Sequence, residues 1–334
     1  VPWSPRLPVS SGEELAMAHL RTRFQRFTAV GAAISLALVA APTVAHGQAP
    51  HAAQQEDFSI VVLPDTQYNS KSFPTVWDST GKWIAAEAES RNIRYALHVG
   101  DVVHNSDEAI QWQRAVNGMD YLHNAVPYII GPGNHDMDDA ANSRDATAFN
   151  ENFPRSEFAD LPSFGGTYPS DGNDNSYHTF SAGGTDWLVL ALKYEPTDAE
   201  LEWGNQVIAD HPDHQTMVVT HSYQKGDQRN ETGEEVWNKL ASKHENVSFV
   251  FSGHHVAAGM IESEGENGNT VYQVQADYQD PDNPDPNSFL RYMRFSPADK
   301  TVKVTTYSPH LDENKGDADN EFTIENFEFL TPTG

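Results

Sequence analysis

The chain has 334 residues, 48 acidic against 21 basic side chains, 38% apolar residues and no cysteine. That length suits one enzyme-sized domain with a substantial core, which seven Trp, sixteen Phe and twelve Tyr can fill, so global disorder is excluded. The acidity argues against a nucleic-acid polymer or a stable membrane partner, both of which are reached through lysine and arginine fields; lack of cysteine removes disulfide frameworks, zinc fingers, iron–sulfur ligation and thiol nucleophiles.

At the amino end, Arg21, Arg23 and Arg26 lead into an apolar run over Ala29–Ala41, followed by small residues around Ala45-His46-Gly47 and Gly47-Gln48-Ala49. Basic, apolar, then small is the order of a secretory signal, and the run is short against the ~20 residues of a membrane span. Residues 1–47 are therefore expected to comprise an upstream segment and a signal peptide starting at Met17. A polar tether over 48–57 and one domain over 58–334 follow, in a protein that is secreted or extracytoplasmic after cleavage. The other reading of this segment is a retained anchor helix.

Beyond the tether the pattern alternates. Phe58–Leu63 predicts a buried strand ending at Pro64-Asp65, 77–88 a helix, and Tyr95–Val99 a second strand ending at Gly100-Asp101. Trp112, Val116, Met119 and His123 fall on one helical stripe, and Val126–Ile130 is a strand running into Gly131-Pro132-Gly133-Asn134. Residues 140–176 are rich in Asn, Asp, Ser, Gly and Pro and predict a long insertion. Tyr177–Phe180 and Trp187–Leu192 read as neighbouring strands around Gly183-Gly184. Thr197 is placed to cap a helix that shows Leu201, Gly204 and Ile208 on one face. Thr216–Thr220 and Val247–Phe251 are further strands, with a helix over 234–243 between them. Strands over 271–275, 290–295, 302–307 and 322–329 complete an α/β layering with neither internal repeat nor linker.

Chemistry collects where these strands end. Asp65-Thr66-Gln67, Gly100-Asp101, Gly133-Asn134-His135-Asp136, His221 and Gly253-His254 all follow apolar runs. In a parallel-rich sheet such ends converge on one edge. Carboxylates, imidazoles and an amide oxygen are the donors of a hydrolytic metal centre, with Asp101 able to bridge two ions. Taken singly, each residue fits turn chemistry or a satisfied core histidine; the ordered set points to a site. His135 is expected to face substrate, with Asp136 fixing its tautomer through the other ring nitrogen.

This ordered set resembles the calcineurin-like metallophosphoesterase superfamily, which includes purple acid phosphatases, over roughly residues 58–256. The resemblance implies a four-layer β-sandwich of mixed sheets flanked by helices. It also implies two divalent or mixed-valence ions drawn from Mn, Fe, Zn and Mg, and a small phosphoester substrate. Carried over by residue, Asp65 belongs to the first metal position and Asp101 bridges. Asn134, His221 and His254 complete the second, and His135 is the catalytic histidine.

Two departures touch the first position. The family pattern begins Asp-x-His where this chain has Asp65-Thr66-Gln67, and ends Gly-His-x-His where it has Gly253-His254-His255-Val256. Purple acid phosphatases carry a tyrosine three residues after the bridging Asp, and here that place holds His104. His104 is thus the expected replacement ligand, Gln67 an added amide oxygen, and His255 an alternative. Tyr68, Tyr223 and Arg229 are candidates for orienting phosphate, His98 is expected as a buried supporting imidazole, and Asp280, Asp282 and Asp285 read as a solvated loop. P-loop, dinucleotide and serine-hydrolase motifs are missing. The expected function is metal-dependent hydrolysis of a phosphate monoester or diester. The alternative is a secreted phosphate- or ligand-binding module of the same fold with an impaired first metal site.

Overall fold

A computed structural model describes residues 55–123, 125–139 and 143–331. The expected signal segment and most of the tether lie outside the described residues. The first half contains β1 (Phe58–Leu63), α1 (Gln67–Lys71), α2 (Pro74–Glu87), β2 (Ile93–His98), α3 (Ala109–His123) and β3 (Tyr128–Ile130). Within the 140–176 stretch lie α4 (Thr147–Asn152), α5 (Arg155–Phe158) and β4 (Phe164–Thr167). Then come β5 (Ser176–Ala182), β6 (Thr185–Leu192), α6 (Asp198–Ala209), β7 (Gln215–Thr220), a minimal hairpin of β8 (Gln224–Lys225) and β9 (Gln228–Arg229), and α7 (Glu231–Val236). The last part is strands with one 3₁₀ turn (Pro286–Ser288) after the third: β10 (Val247–Ser252), β11 (Ala257–Glu264), β12 (Thr270–Asp277), β13 (Leu290–Ser296), β14 (Thr301–Ser308), β15 (Glu313–Lys315) and β16 (Glu321–Glu325).

These strands form two seven-stranded mixed sheets. One runs β15-β14-β13-β1-β2-β3, with β16 also on β14; the other runs β11-β12-β10-β7-β6-β5-β4. Within them β1, β2 and β3 are mutually parallel, as are β6, β7, β10 and β12. The period-2 rule explains how both faces of β1 are buried. Ile60 and Val62 enter the core between the sheets beside Leu97, Trp187, Val219, Phe251 and Phe295, while Val61 and Leu63 pack under the helices with Trp77, Trp112 and Met119. A third cluster seals the far side of the second sheet, with Leu190 and Val218 against Leu201 and Ile208 of α6 and Leu240. Helices, sheet, sheet, helices is the four-layer order expected.

Local signals hold where they are strong. Thr197 caps α6 in a reciprocal box with Glu200, and Leu201, Gly204 and Ile208 are buried. Boundaries moved elsewhere. The helix expected over 234–243 starts at Glu231, where Asn230 accepts from the Gly233 N–H as its cap, and its end relaxes into a π-helical turn over Trp237–Ala241. In α3 the buried face is Trp112, Ala115, Met119 and Leu122, leaving Val116 and His123 half-buried.

Candidate metal site

Six parallel strands deliver the site. Asp65 follows β1, Asp101 follows β2, and Asn134, His135 and Asp136 form a 3₁₀ turn after β3. From the other sheet, His221 follows β7, His254 follows β10, and Asp277 ends β12. Two glycines let backbone approach the carboxylates: a Cβ on Gly253 would fall 2.0 Å from Asp65 Oδ1, and one on Gly133 would fall 2.1 Å from Asp101 Oδ1. Asp101 and His254 take left-handed backbone (φ 53° and 68°), a conformation costly for residues other than glycine and held here by the surrounding turns.

His221 organises one side. Its Nδ1–H donates to the Val99 carbonyl at 2.8 Å, so Nε2 faces inward. There it meets Asp101 Oδ2 at 3.3 Å, Asn134 Oδ1 at 3.2 Å and Asp65 Oδ2 at 4.0 Å. One ring atom facing three oxygens is satisfied either by a proton on Nε2 or by a cation that the nitrogen lone pair and the oxygens share. Burial works against charge on His221 and on Asp101. Their mutual attraction outweighs it, raising the imidazole and lowering the carboxyl. Burial, then Asp277 and Asp101, push Asp65 well above the usual carboxylate range. Anionic crowding of this kind is relieved by protonation or by a cation.

The expectation of two ions is overturned. Among the described residues, Asp65, Asp101 and His221 form one group of His, Asp and Glu ligand atoms lying within 4.8 Å of one another, and no second such group is found. The donor set fits one cation, with the Asn134 amide oxygen at its edge. His104 does not enter the group: its Nδ1–H donates to Gln67 Oε1 at 2.6 Å, and its ring lies 4.8 Å from that of His135. His254 holds Asp65 through its backbone N–H, 3.1 Å from Oδ2, while its ring packs 5.0 Å from His221 and 5.5 Å from Tyr194. Burial first, then His221, push that imidazole down to about 3, so it is neutral. His255 turns toward Asn230 (Nε2 to Nδ2, 3.3 Å), and Val256, where the family pattern has its last histidine, is 67% exposed.

The role expected of Asp136 also needs correction. Its carboxylate accepts the backbone N–H groups of Val102, Val103 and Gly133 at 2.8, 3.1 and 2.9 Å, tying the second and third strand-end loops together. His135 instead donates Nδ1–H to the His104 carbonyl at 2.8 Å, and its backbone N–H reaches Asp101 Oδ1 at 2.9 Å. Burial, then Asp101, raise Asp136 to about 7. His98 is the buried support expected: Nε2 meets Thr66 Oγ1 at 2.9 Å and Nδ1 accepts Gly100 N–H at 3.1 Å, linking the Asp65 and Asp101 loops.

Of the phosphate-orienting candidates, Tyr68 stands beside the site, its ring 5.0 Å from His104. Tyr223 is fully buried on Gln273, and Arg229 is engaged by Glu234, Gln273 and Ser263. Asp280, Asp282 and Asp285 belong to a loop closed on itself by bonds such as Asp282 N–H to Asp280 Oδ1 at 2.9 Å. Sequence reasoning missed Asp277 and Gln279. Asp277 is 1% exposed and Gln279 bridges it to Asp65 and Gln67. The apolar run over 271–275 was the available signal, since Asp277 ends that strand as Asp101 follows its own.

A helix–sheet–sheet–helix fold whose strand ends converge on acid, imidazole and amide donors is the architecture of a metallophosphoesterase. The chain belongs to the calcineurin-like phosphoesterase family, whose model matches residues 58–258. It is 32% identical over 272 residues to the uncharacterized protein YvnB of Bacillus subtilis (strain 168), covering 78% of this chain and 21% of that protein. The chain thus spans about a fifth of the length of that relative. Among solved structures it is similar to the purple acid phosphatase PPD1 of yellow lupin (TM-score 0.48, 13% identity, 81% of this chain and 54% of that one). It is also similar to the calcineurin-like phosphoesterase YfkN of Bacillus subtilis (TM-score 0.43, 12% identity, 80% and 88%).

Proposed function

We propose that this protein is an exported phosphate- or phosphoester-binding module built on the metallophosphoesterase fold, with one cation and an impaired first metal position. The observation that carries the reading is the single cluster of Asp65, Asp101 and His221, from which His104, His255 and Val256 all stand aside. Bound there, a cation supplies the positive charge that attracts phosphate oxygens to an acidic surface. The chain's own contribution is alignment. His135 is anchored at its backbone N–H and at Nδ1, so Nε2 is the atom left to meet a ligand: protonated it donates to a phosphate oxygen, neutral it accepts a proton. Isothermal titration of the full chain with inorganic phosphate and bis-p-nitrophenyl phosphate, with Mn²⁺ and after chelation, tests the reading. Phosphate binding that requires the cation supports it. Absence of binding in both conditions overturns it.

Family membership and the free edge of His135 favour a second reading, hydrolysis of a small phosphoester, monoester or diester. Here His135 would protonate the leaving oxygen. Chelation-sensitive turnover of p-nitrophenyl phosphate or bis-p-nitrophenyl phosphate decides for it. Export rests on the arginine-led apolar run over 29–41 and is checked by mass spectrometry of protein recovered outside the producing cell. Protein that still carries Arg23 there counts against it.

A further inference from the structure

Beside the two carboxylates, a chain of hydrogen bonds runs His104, Gln67, Gln279, Asp277, and chemistry fixes its polarity. Gln279 Nε2 lies 3.0 Å from Asp277 Oδ2 and 3.5 Å from Asp65 Oδ2, a place between two ionised carboxylates that suits the N–H end of an amide. Its Oε1 therefore faces Gln67, which must offer Nε2–H to it. The same Nε2 lies 3.4 Å from Asp101 Oδ2. Gln67 Oε1 is left to accept the Nδ1 proton of His104 at 2.6 Å. The anchor is Asp277, buried at 1% exposure, whose Oδ1 also accepts the Gln279 backbone N–H at 3.0 Å.

Two amide N–H groups thus point at the same pair of oxygens, Asp65 Oδ2 and Asp101 Oδ2, that face His221. A cation there would meet the positive ends of two amide dipoles and would compete with them for carboxylate lone pairs. We propose that the Gln67–Gln279 amide pair, oriented by Asp277, stands in for a second metal ion and sets the ion count of the site at one. Gln67 and Gln279 are specificity-determining residues, and Asp277 is a positioning residue that acts through Gln279. The inference rests on the reading of Asp65, Asp101 and His221 as a one-cation site.

The count of ions tests it, independently of any turnover. Full-length protein stripped with chelator is dialysed against Mn²⁺, and metal per chain is measured by elemental analysis and native mass spectrometry. The wild type should hold one ion. Gln279→Glu, which replaces the N–H donor by an acceptor oxygen, and Gln67→His, which replaces it by an imidazole lone pair, should each hold two. Asp277→Asn should lie between the wild type and these variants, because its amide can turn either end to Gln279. A gain of one ion per chain counts only where the variant keeps the wild-type circular-dichroism spectrum, and two chemically different variants guard against the collapse of one. Two ions in the wild type, or one ion in the wild type and in both glutamine variants, overturn the inference. A wild type that binds none overturns the one-cation reading beneath it.

Discussion

The Asp65 and Asp101 carboxylates are flanked by two kinds of group, His221 and the Gln67–Gln279 amide pair. Both flanks carry nitrogen, and both approach the same two Oδ2 atoms within 4.0 Å. They differ in what the nitrogen can offer. An imidazole whose Nδ1 is tied to a carbonyl presents a lone pair to a cation, whereas a primary amide nitrogen presents only hydrogens. A difference of one functional group, beside the same carboxylates, therefore separates a group able to ligate a metal from one able only to donate hydrogens to the acids.

The largest expected effect comes from breaking the imidazole flank. His221→Ala removes a direct donor, so its cost in cation affinity should exceed the ~10- to 100-fold that outer partners of metal ligands typically cost; titration with Mn²⁺ reads it. Loss of the other flank should cost stability instead. Gln67→Leu leaves Gln279 Oε1 without its donor and His104 Nδ1–H without its acceptor, worth about 1–3 kcal/mol in urea unfolding, and added cation should restore part of it. Retention of full stability would mean that the amides are not compensating the carboxylates.

Any phosphoester turnover the chain shows should fall ~10²- to 10⁴-fold in His135→Ala with the ion count unchanged. A matching fall in metal content would make His135 a part of the metal-holding flank. Gly253→Ala forces a methyl to within 2.0 Å of Asp65 Oδ1 and should loosen both flanks together, at ~1–3 kcal/mol of stability.

The smallest effect on ion binding, none, is expected at a remote histidine that separates site from scaffold. His178 is buried, with Nδ1 on Tyr95 Oη at 2.6 Å, and burial pushes it down to about 3. The unfolded chain therefore binds a proton that the folded one refuses. The stability tied to this group is complete above its ordinary value of 6.5 and is lost as pH falls from there toward 3. Melting temperatures across that window should fall less steeply in His178→Gln, with metal uptake unchanged. An identical acid response would place the sensitivity in the carboxylate site.

Much of the site could be read before its geometry was known. Apolar runs closed by Gly100-Asp101, by Gly133-Asn134 and by Gly253-His254 mark strand ends, and strand ends of parallel sheets meet by topology alone. His104 illustrates where that reading failed. Three residues after Asp101 it is within reach of a metal, but which way an imidazole turns depends on the partner nearest its ring nitrogens. Gln67 takes its Nδ1. Asp136 failed likewise: adjacency to His135 suggested a pair, but three unsatisfied backbone N–H groups were closer claimants on the buried carboxylate.

By itself the sequence determined the layering, the capped helix at Thr197 and the identity of the metal-capable acids and imidazoles, because these depend on period, on local hydrogen bonding and on residue type. Tertiary structure decided how many of those groups face one point. Asp277 and Gln279 are more than two hundred residues from Asp65 and Gln67, and they join only because β1 of one sheet and β12 of the other pack into the same core with their ends at one edge. The direction of each amide is settled by the last acceptor in the chain, Asp277. A carboxylate can only accept, so every donor upstream of it must point the same way.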